Sequence, residues 1–204
     1  MPPRRRRFQR PLGHRRYRTL FIIAVEGRKT EQQYFHMLQC QQSVVHVKCL
    51  KGTKASSPPQ VLKRMEDHLR RNALRSSDEA WLVVDKDQWE EEQLGQLYAW
   101  SQSRANYGFA LSNPKFEFWL LLHFEDGTGI ASSRDCSDRL RRHLPGYDKG
   151  FDIRKISHGQ IEDAIRRVQL RDTPACADWP RVSGVTTVYR LVERIYRPAT
   201  GRTQ

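Results

Sequence analysis

The stretch Trp81-Leu-Val-Val-Asp-Lys-Asp-Gln88 constrains this chain more than any other. Trp81 to Val84 form a short apolar run that reads as a buried strand, and the run stops on Asp85 and Asp87 with one residue between them. In extended backbone, positions i and i+2 point the same way, so both carboxylates can face one divalent ion. Isolated carboxylates are costly to desolvate unless they are paired or bound to metal, and packing alone asks for no such pair at the end of a buried strand. Asp is also common in loops and helix caps, so the pair needs a second signal.

Leu20-Phe-Ile-Ile-Ala-Val25 supplies it, a second short run that is apolar and partly β-branched, ending in Glu26-Gly27 before a helix that begins near Thr30. With both runs as parallel strands of one sheet, Glu26, Asp85 and Asp87 all lie at carboxyl ends, where open α/β sheets place their sites. Gly27 allows a sharp turn from strand to helix, and Thr30 can cap that helix. Arg28 and Lys29 flank the helix start, a natural seat for a substrate phosphate.

Tyr34, Phe35 and Leu38 stand at helical spacing in the segment that follows. Residues 43–50 alternate and are valine-rich, as a second strand would be. The loop at 51–59 leads into a helix over Gln60–Leu74, whose inner face carries Val61, Leu62, Met65, Leu69 and Leu74. After the Asp pair, a helix over Gln88–Arg104 turns Leu94, Leu97, Tyr98 and Trp100 inward, with Trp89 at its opening. Gly108–Ser112 is a fourth strand, stopped by Asn113-Pro114. Phe116–Phe124 is apolar without alternation and reads as a buried helix, with Pro114 near its start. Glu117 sits in its first turn among apolar neighbours and is a fourth candidate metal ligand; His123 reads as a core histidine.

Beyond Glu125 the pattern is helical only, with helices expected over Ser133–His143, Ser157–Leu170 and Val185–Ile195. The expected organisation is a basic arm at 1–18, an α/β core at 19–124 and a helical C-terminal subdomain or cap at 125–204. The fold class is α/β, a mostly parallel sheet of about four strands flanked by helices.

Formal net charge is +13 and the isoelectric point is about 10.0, which favours a polyanionic partner such as nucleic acid, RNA or DNA. Arg4, Arg5, Arg6, Arg7, Arg15 and Arg16 concentrate that charge in the arm, where each phosphate contact adds salt-sensitive affinity. No run reaches the length of a bilayer span, and no signal-peptide core follows the basic N-terminus, so a cytoplasmic location with no membrane partner is expected. The four cysteines are scattered, without Cys-x-x-Cys spacing, and read as free thiols.

Val25-Glu-Gly-Arg-Lys-Thr-Glu-Gln-Gln-Tyr-Phe35, Val84-Asp-Lys-Asp87 and Ser112-Asn-Pro-Lys-Phe-Glu-Phe-Trp-Leu-Leu-Leu-His-Phe124, in this order, resemble the RloB-like family from about Thr19 to Glu193. That resemblance implies a bacterial anti-phage setting, among restriction-modification and abortive-infection loci. The core is also similar to a Toprim domain, the Rossmann-like module of topoisomerases and primases. That similarity implies an acid/base and metal role for Glu26 and a magnesium role for Asp85 and Asp87. No transesterifying tyrosine is implied, so topoisomerase chemistry is not expected.

The expected activity is magnesium- or manganese-dependent phosphodiester hydrolysis of nucleic acid, with Glu26, Asp85 and Asp87 as catalytic acids. Lys86 points away from the pair. The other reading is a non-catalytic subunit that binds nucleic acid or a partner, with activity carried by a companion such as an ATPase or a restriction-modification component. A dinucleotide-binding domain is disfavoured, because no Gly-x-Gly-x-x-Gly follows the first strand.

Overall fold

A computed structural model describes residues 19–27, 29–41, 44–50, 52, 57–86, 89–147 and 156–197. The order of elements is β1 (Thr19–Val25), α1 (Thr30–Gln41), β2 (Val45–Leu50), α2 (Pro58–Arg71), β3 (Glu79–Asp85), α3 (Glu91–Gln102), β4 (Tyr107–Asn113), α4 (Phe116–Leu121), α5 (Ser133–His143), α6 (His158–Arg171), β5 (Val185–Thr186) and α7 (Val188–Tyr196). The strands form one sheet in the order β2-β1-β3-β4-β5. The first four are parallel and β5 runs antiparallel to β4. The class is therefore α/β, with a mostly parallel sheet flanked by seven helices among the described residues.

Alternation along the two central strands builds the layers. Phe21, Ile23 and Val25 of β1 join Trp81 and Val83 of β3 in a cluster with Tyr34, Phe35, Trp119, Val168 and Leu191. Ile22 and Ala24 join Ala80, Leu82 and Val84 on the other face, against Val61 and Met65 of α2 and Leu94 and Leu97 of α3. Both faces of β1 and β3 are covered, which is why their sequences are continuously apolar. Leu191, Val192 and Ile195 of α7 and Ile161, Ala164 and Val168 of α6 belong to the same cluster as β1 and α1.

Gly108 answers a packing demand across the sheet. It pairs with Trp81, and a Cβ at residue 108 would lie 2.4 Å from that indole ring. Trp81 thus lies flat over β4, and its indole N–H donates to Glu79 Oε2 at 2.9 Å.

The C-terminal third holds a strand where the sequence reading has only helix. Val185 and Thr186 pair with Asn113 and Ser112, and the helix starts three residues later than expected, at Val188. Two residues are too few to show alternation, and the pairing is set by tertiary contacts: Ser112 Oγ and Thr186 Oγ1 lie 2.8 Å apart, and Thr187 Oγ1 accepts the Leu111 N–H at 2.9 Å. The helix expected to reach Phe124 is also shorter. It ends at Leu121, and the chain leaves it through tight turns from His123 N–H to the Leu120 carbonyl and from Phe124 N–H to the Leu121 carbonyl.

A candidate acidic site at the carboxyl rim of the sheet

Parallel pairing fixes which residues share a rim. Val25 stands opposite Val83 and Asp85 opposite Ser112, so β1, β3 and β4 end together. Glu26 continues the ladder by one bond, its N–H reaching the Val83 carbonyl at 3.1 Å, and Lys86 N–H does the same toward Ser112 at 2.8 Å. Glu26 and Asp85 are therefore neighbours at the rim, as parallel strands require.

Their direct contact runs through the backbone. Asp85 N–H donates to Glu26 Oε2 at 3.2 Å, and the Trp89 indole donates to both Glu26 oxygens at 3.1 and 3.3 Å. Trp89 precedes α3 and packs beside the site, held there while Lys86 Nζ donates to its carbonyl at 2.8 Å. On the same side, Arg64 of α2 donates to the Val25 carbonyl at 2.6 Å; burial lowers its pKa, and the nearby Glu26 charge works against that shift. Lys86 also reaches Glu91 at 3.2 Å, so it is turned to α3.

Asp85 is held from the other layer. Its Oδ1 accepts the Phe116 N–H at 2.8 Å, one of the donors that α4 leaves unpaired at its start. Burial pushes its carboxyl well above the ordinary carboxylate range, the charges of Glu31, Glu117 and Glu26 push it further, and the Phe116 N–H pulls it partly back. Glu117, in the first turn of α4, accepts from the Tyr147 hydroxyl at 3.0 Å and lies 3.9 Å from Lys115 Nζ. Tyr147 is also 3.3 Å from Thr30 Oγ1; its proton being given to Glu117, it accepts from Thr30. Thr30 is thus the first residue of α1 and its hydroxyl serves Tyr147, where the sequence reading has it capping the helix.

Glu31 is the residue the sequence reading does not single out. It is buried, at 6 % exposure, and its Oε1 accepts the Gly27 N–H at 2.8 Å. Its pKa is raised to about 7, chiefly by burial, with Glu117 and Glu26 adding to it against its backbone bonds. A signal is present: residues 31, 34, 35 and 38 follow the i, i+3, i+4, i+7 spacing of the inward face of α1, so a glutamate there has to be buried.

Four acids, Glu26, Glu31, Asp85 and Glu117, thus feel one another at this rim. Among the described residues no group of three His, Cys, Asp or Glu side chains is arranged to hold a metal ion. Asp87 and Arg28 lie outside the described residues, as do Arg4, Arg5, Arg6, Arg7, Arg15 and Arg16. Lys29 is exposed, directly before α1. His123 is a core residue: 1 % exposed, its Nε2 is 3.1 Å from the Tyr34 hydroxyl and its Nδ1 is 3.0 Å from the Trp119 carbonyl. Burial lowers its pKa to about 4, so it is neutral.

A family model described as RloB-like protein matches residues 21–195. Searches of the curated proteins and of the solved structures found no match. No helix among the described residues is long and apolar enough to cross a membrane.

Proposed function

This chain belongs to the RloB-like protein family, and from that premise we propose that it is a magnesium-dependent phosphodiester hydrolase of nucleic acid, built on a Toprim-like core and serving bacterial defence against phage. One observation carries the reading: Asp85, desolvated at the carboxyl rim, is raised further by three other acids. Carboxylates that oppose one another in a half-dry site are relieved by a bound cation, which reverses the local pKa preference.

The residues fit such an ion by donor chemistry. All the candidate side chains offer oxygen, the ligand that magnesium and manganese prefer, and magnesium keeps several waters and so asks little of the protein. Asp85 and Asp87 would hold it, with Glu26 and Glu117 beside them. When bound, the ion supplies charge to the scissile phosphate and lowers the pKa of a water.

The chain's own groups do the rest. The Phe116 N–H fixes the Asp85 carboxylate, and the Asp85 N–H with the Trp89 indole holds the Glu26 carboxylate in place. A carboxylate at this position can accept a proton from the attacking water at either oxygen and deliver it to the leaving group. Lys29 and the amino end of α1 offer positive charge for a substrate phosphate. The basic arm, Arg4 to Arg7 with Arg15 and Arg16, supplies sequence-independent affinity.

The test is incubation of the purified protein with a panel of labelled RNAs and DNAs under magnesium and manganese, beside the Glu26→Gln form. Cleavage by the parent that disappears in Glu26→Gln while binding persists is the expected result. Cleavage unchanged in Glu26→Gln overturns the assignment.

A second reading is favoured by a specific observation, that Glu26 is already engaged by three hydrogen-bond contacts. In that reading the acids are structural, the chain binds nucleic acid or a partner, and a companion ATPase carries the activity. Binding without cleavage in every metal, equal in the parent and in Asp85→Ala, distinguishes it.

A further inference from the structure

Two adjoining cavities open at the amino-terminal rim of the sheet, opposite the acids. One, of about 590 Å³, lies between the ends of α2 and α3 and the start of β4, with Arg70, Trp100, Arg104 and Tyr107 in its wall. The other, of about 480 Å³, lies between the starts of β3 and β4 and α7, with Tyr107, Arg190, Arg194 and Arg197 in its wall. Tyr107 lines both, so the two cavities, one on the α2–α3 side of the sheet and one on the α7 side, adjoin at this residue and are together called the trough.

The walls carry five arginines with Glu66, Glu79 and Glu193, and Asp67 and Asp172 pair with two of those arginines. Three of the cations are already paired: Arg194 meets Glu79 with two bonds of 2.6 and 2.7 Å, Arg190 meets Asp172 at 3.1 Å, and Arg70 pairs with Asp67 one turn earlier on α2. Neither Arg104 nor Arg197 has an ion-pair partner among the described residues. The same wall holds a stacked aromatic pair, Trp100 and Tyr107, with ring centroids 4.3 Å apart and planes 16° from parallel. Arg104 lies 5.5 Å from the Tyr107 centroid. Both rings are half-buried and border open space.

Flat π-faces beside uncommitted guanidinium groups are what single-stranded nucleic acid uses: bases stack on the rings whatever their sequence, and phosphates pair with the cations. An acidic peptide would use the cations and leave the stacked pair without a role. We propose that this trough binds single-stranded nucleic acid, one base stacking against the Trp100–Tyr107 pair and the adjoining phosphates pairing with Arg104 and Arg197. The proposal rests on nucleic acid being the substrate. It adds a second contact region about 20 Å from the acids, the length of a seven-residue strand such as β3, which runs from one rim to the other.

Equilibrium binding of fluorescein-labelled oligouridylate and oligothymidylate 12-mers to the full chain, read by anisotropy in chelator, tests it without requiring hydrolysis. Arg104→Glu and Arg197→Glu are expected to weaken binding about tenfold each and to flatten the salt dependence by about one phosphate each. Trp100→Ala is expected to weaken it about tenfold with the salt slope unchanged, and Trp100→Phe to restore most of the affinity. Photocrosslinking of an oligomer carrying 5-iodouridine is expected to label the peptide holding Trp100 or the one holding Tyr107. Parental affinity in both charge-reversed variants, crosslinks confined to other peptides, or an acidic peptide that competes as well as the oligomer would each overturn the proposal. Weakened binding in these variants together with absent cleavage by the parent leaves the trough standing and removes only the hydrolase reading.

Discussion

Glu31 occupies the space that a side chain at Gly27 would need: a Cβ built on Gly27 would lie 2.1 Å from Glu31 Oε2, while the Gly27 N–H donates to Glu31 Oε1 at 2.8 Å. The glycine in the turn after β1 therefore sets the position of a buried acid. Gly27→Ala is expected to destabilise the fold by about 1–3 kcal/mol, the usual cost of overpacking. In a Glu31→Ala background the same change should cost much less, because the competing carboxylate is gone. Urea denaturation of the two single variants and the double variant measures the coupling; additive effects would show that the two residues do not compete for that space.

The pKa of Glu31, raised to about 7 from an ordinary 4.5, gives stability a pH dependence of defined sign. Between those values the folded chain holds a proton that the unfolded chain has released. The contribution is fully present below pH 4.5 and is lost as pH rises through 7. Relative to Glu31→Gln, the parent should lose stability across this window with a slope approaching ~1.4 kcal/mol per pH unit. Asp85 is shifted in the same direction and adds to the fall. Magnesium should shrink the slope by favouring the ionised cluster. Denaturation midpoints at closely spaced pH values check this, and parallel profiles for parent and variant would contradict it.

Trp89 keeps the Glu26 carboxylate oriented through its indole N–H. Trp89→Phe retains the ring and removes the donor, so it should cost about 1–2 kcal/mol, the range for a hydrogen bond to a charged group after partial resolvation. Cleavage should fall with it, because a freed Glu26 rotates away from Asp85. A variant with unchanged stability and unchanged turnover would show that the indole bond has no positioning role.

Much of this is legible in the chain itself. Continuous apolar runs closed by acids place β1 and β3 and the rim they share, and the polar helix expected over Ser133–His143 is α5 with the same bounds. What escapes depends on residues distant in sequence. β5 is two residues long and exists because β4 offers it an edge. The Trp89 and Phe116 bonds to Glu26 and Asp85 join residues 63 and 31 positions apart. Glu31 escapes for another reason: a charged residue reads as surface by default, although its place on the inner face of α1 requires burial.

The arginine-rich residues 1–18 are expected to act on affinity alone. Their removal should weaken nucleic-acid binding at low salt and reduce the slope of log affinity against log salt, by about 0.7–0.9 for each phosphate that the arm neutralises. Turnover of saturating substrate should be unchanged. Binding titrations from low to physiological salt measure the slope, and an identical slope after truncation would assign the electrostatic attraction elsewhere.

The central claim is that the acids at the carboxyl rim hold a divalent cation, and manganese(II) titration followed by electron paramagnetic resonance reads it most directly. The parent protein should remove free manganese from solution saturably, with magnesium competing for the same site, and Asp85→Asn should take up none. Equal uptake by Asp85→Asn, or no uptake by the parent, would contradict the account.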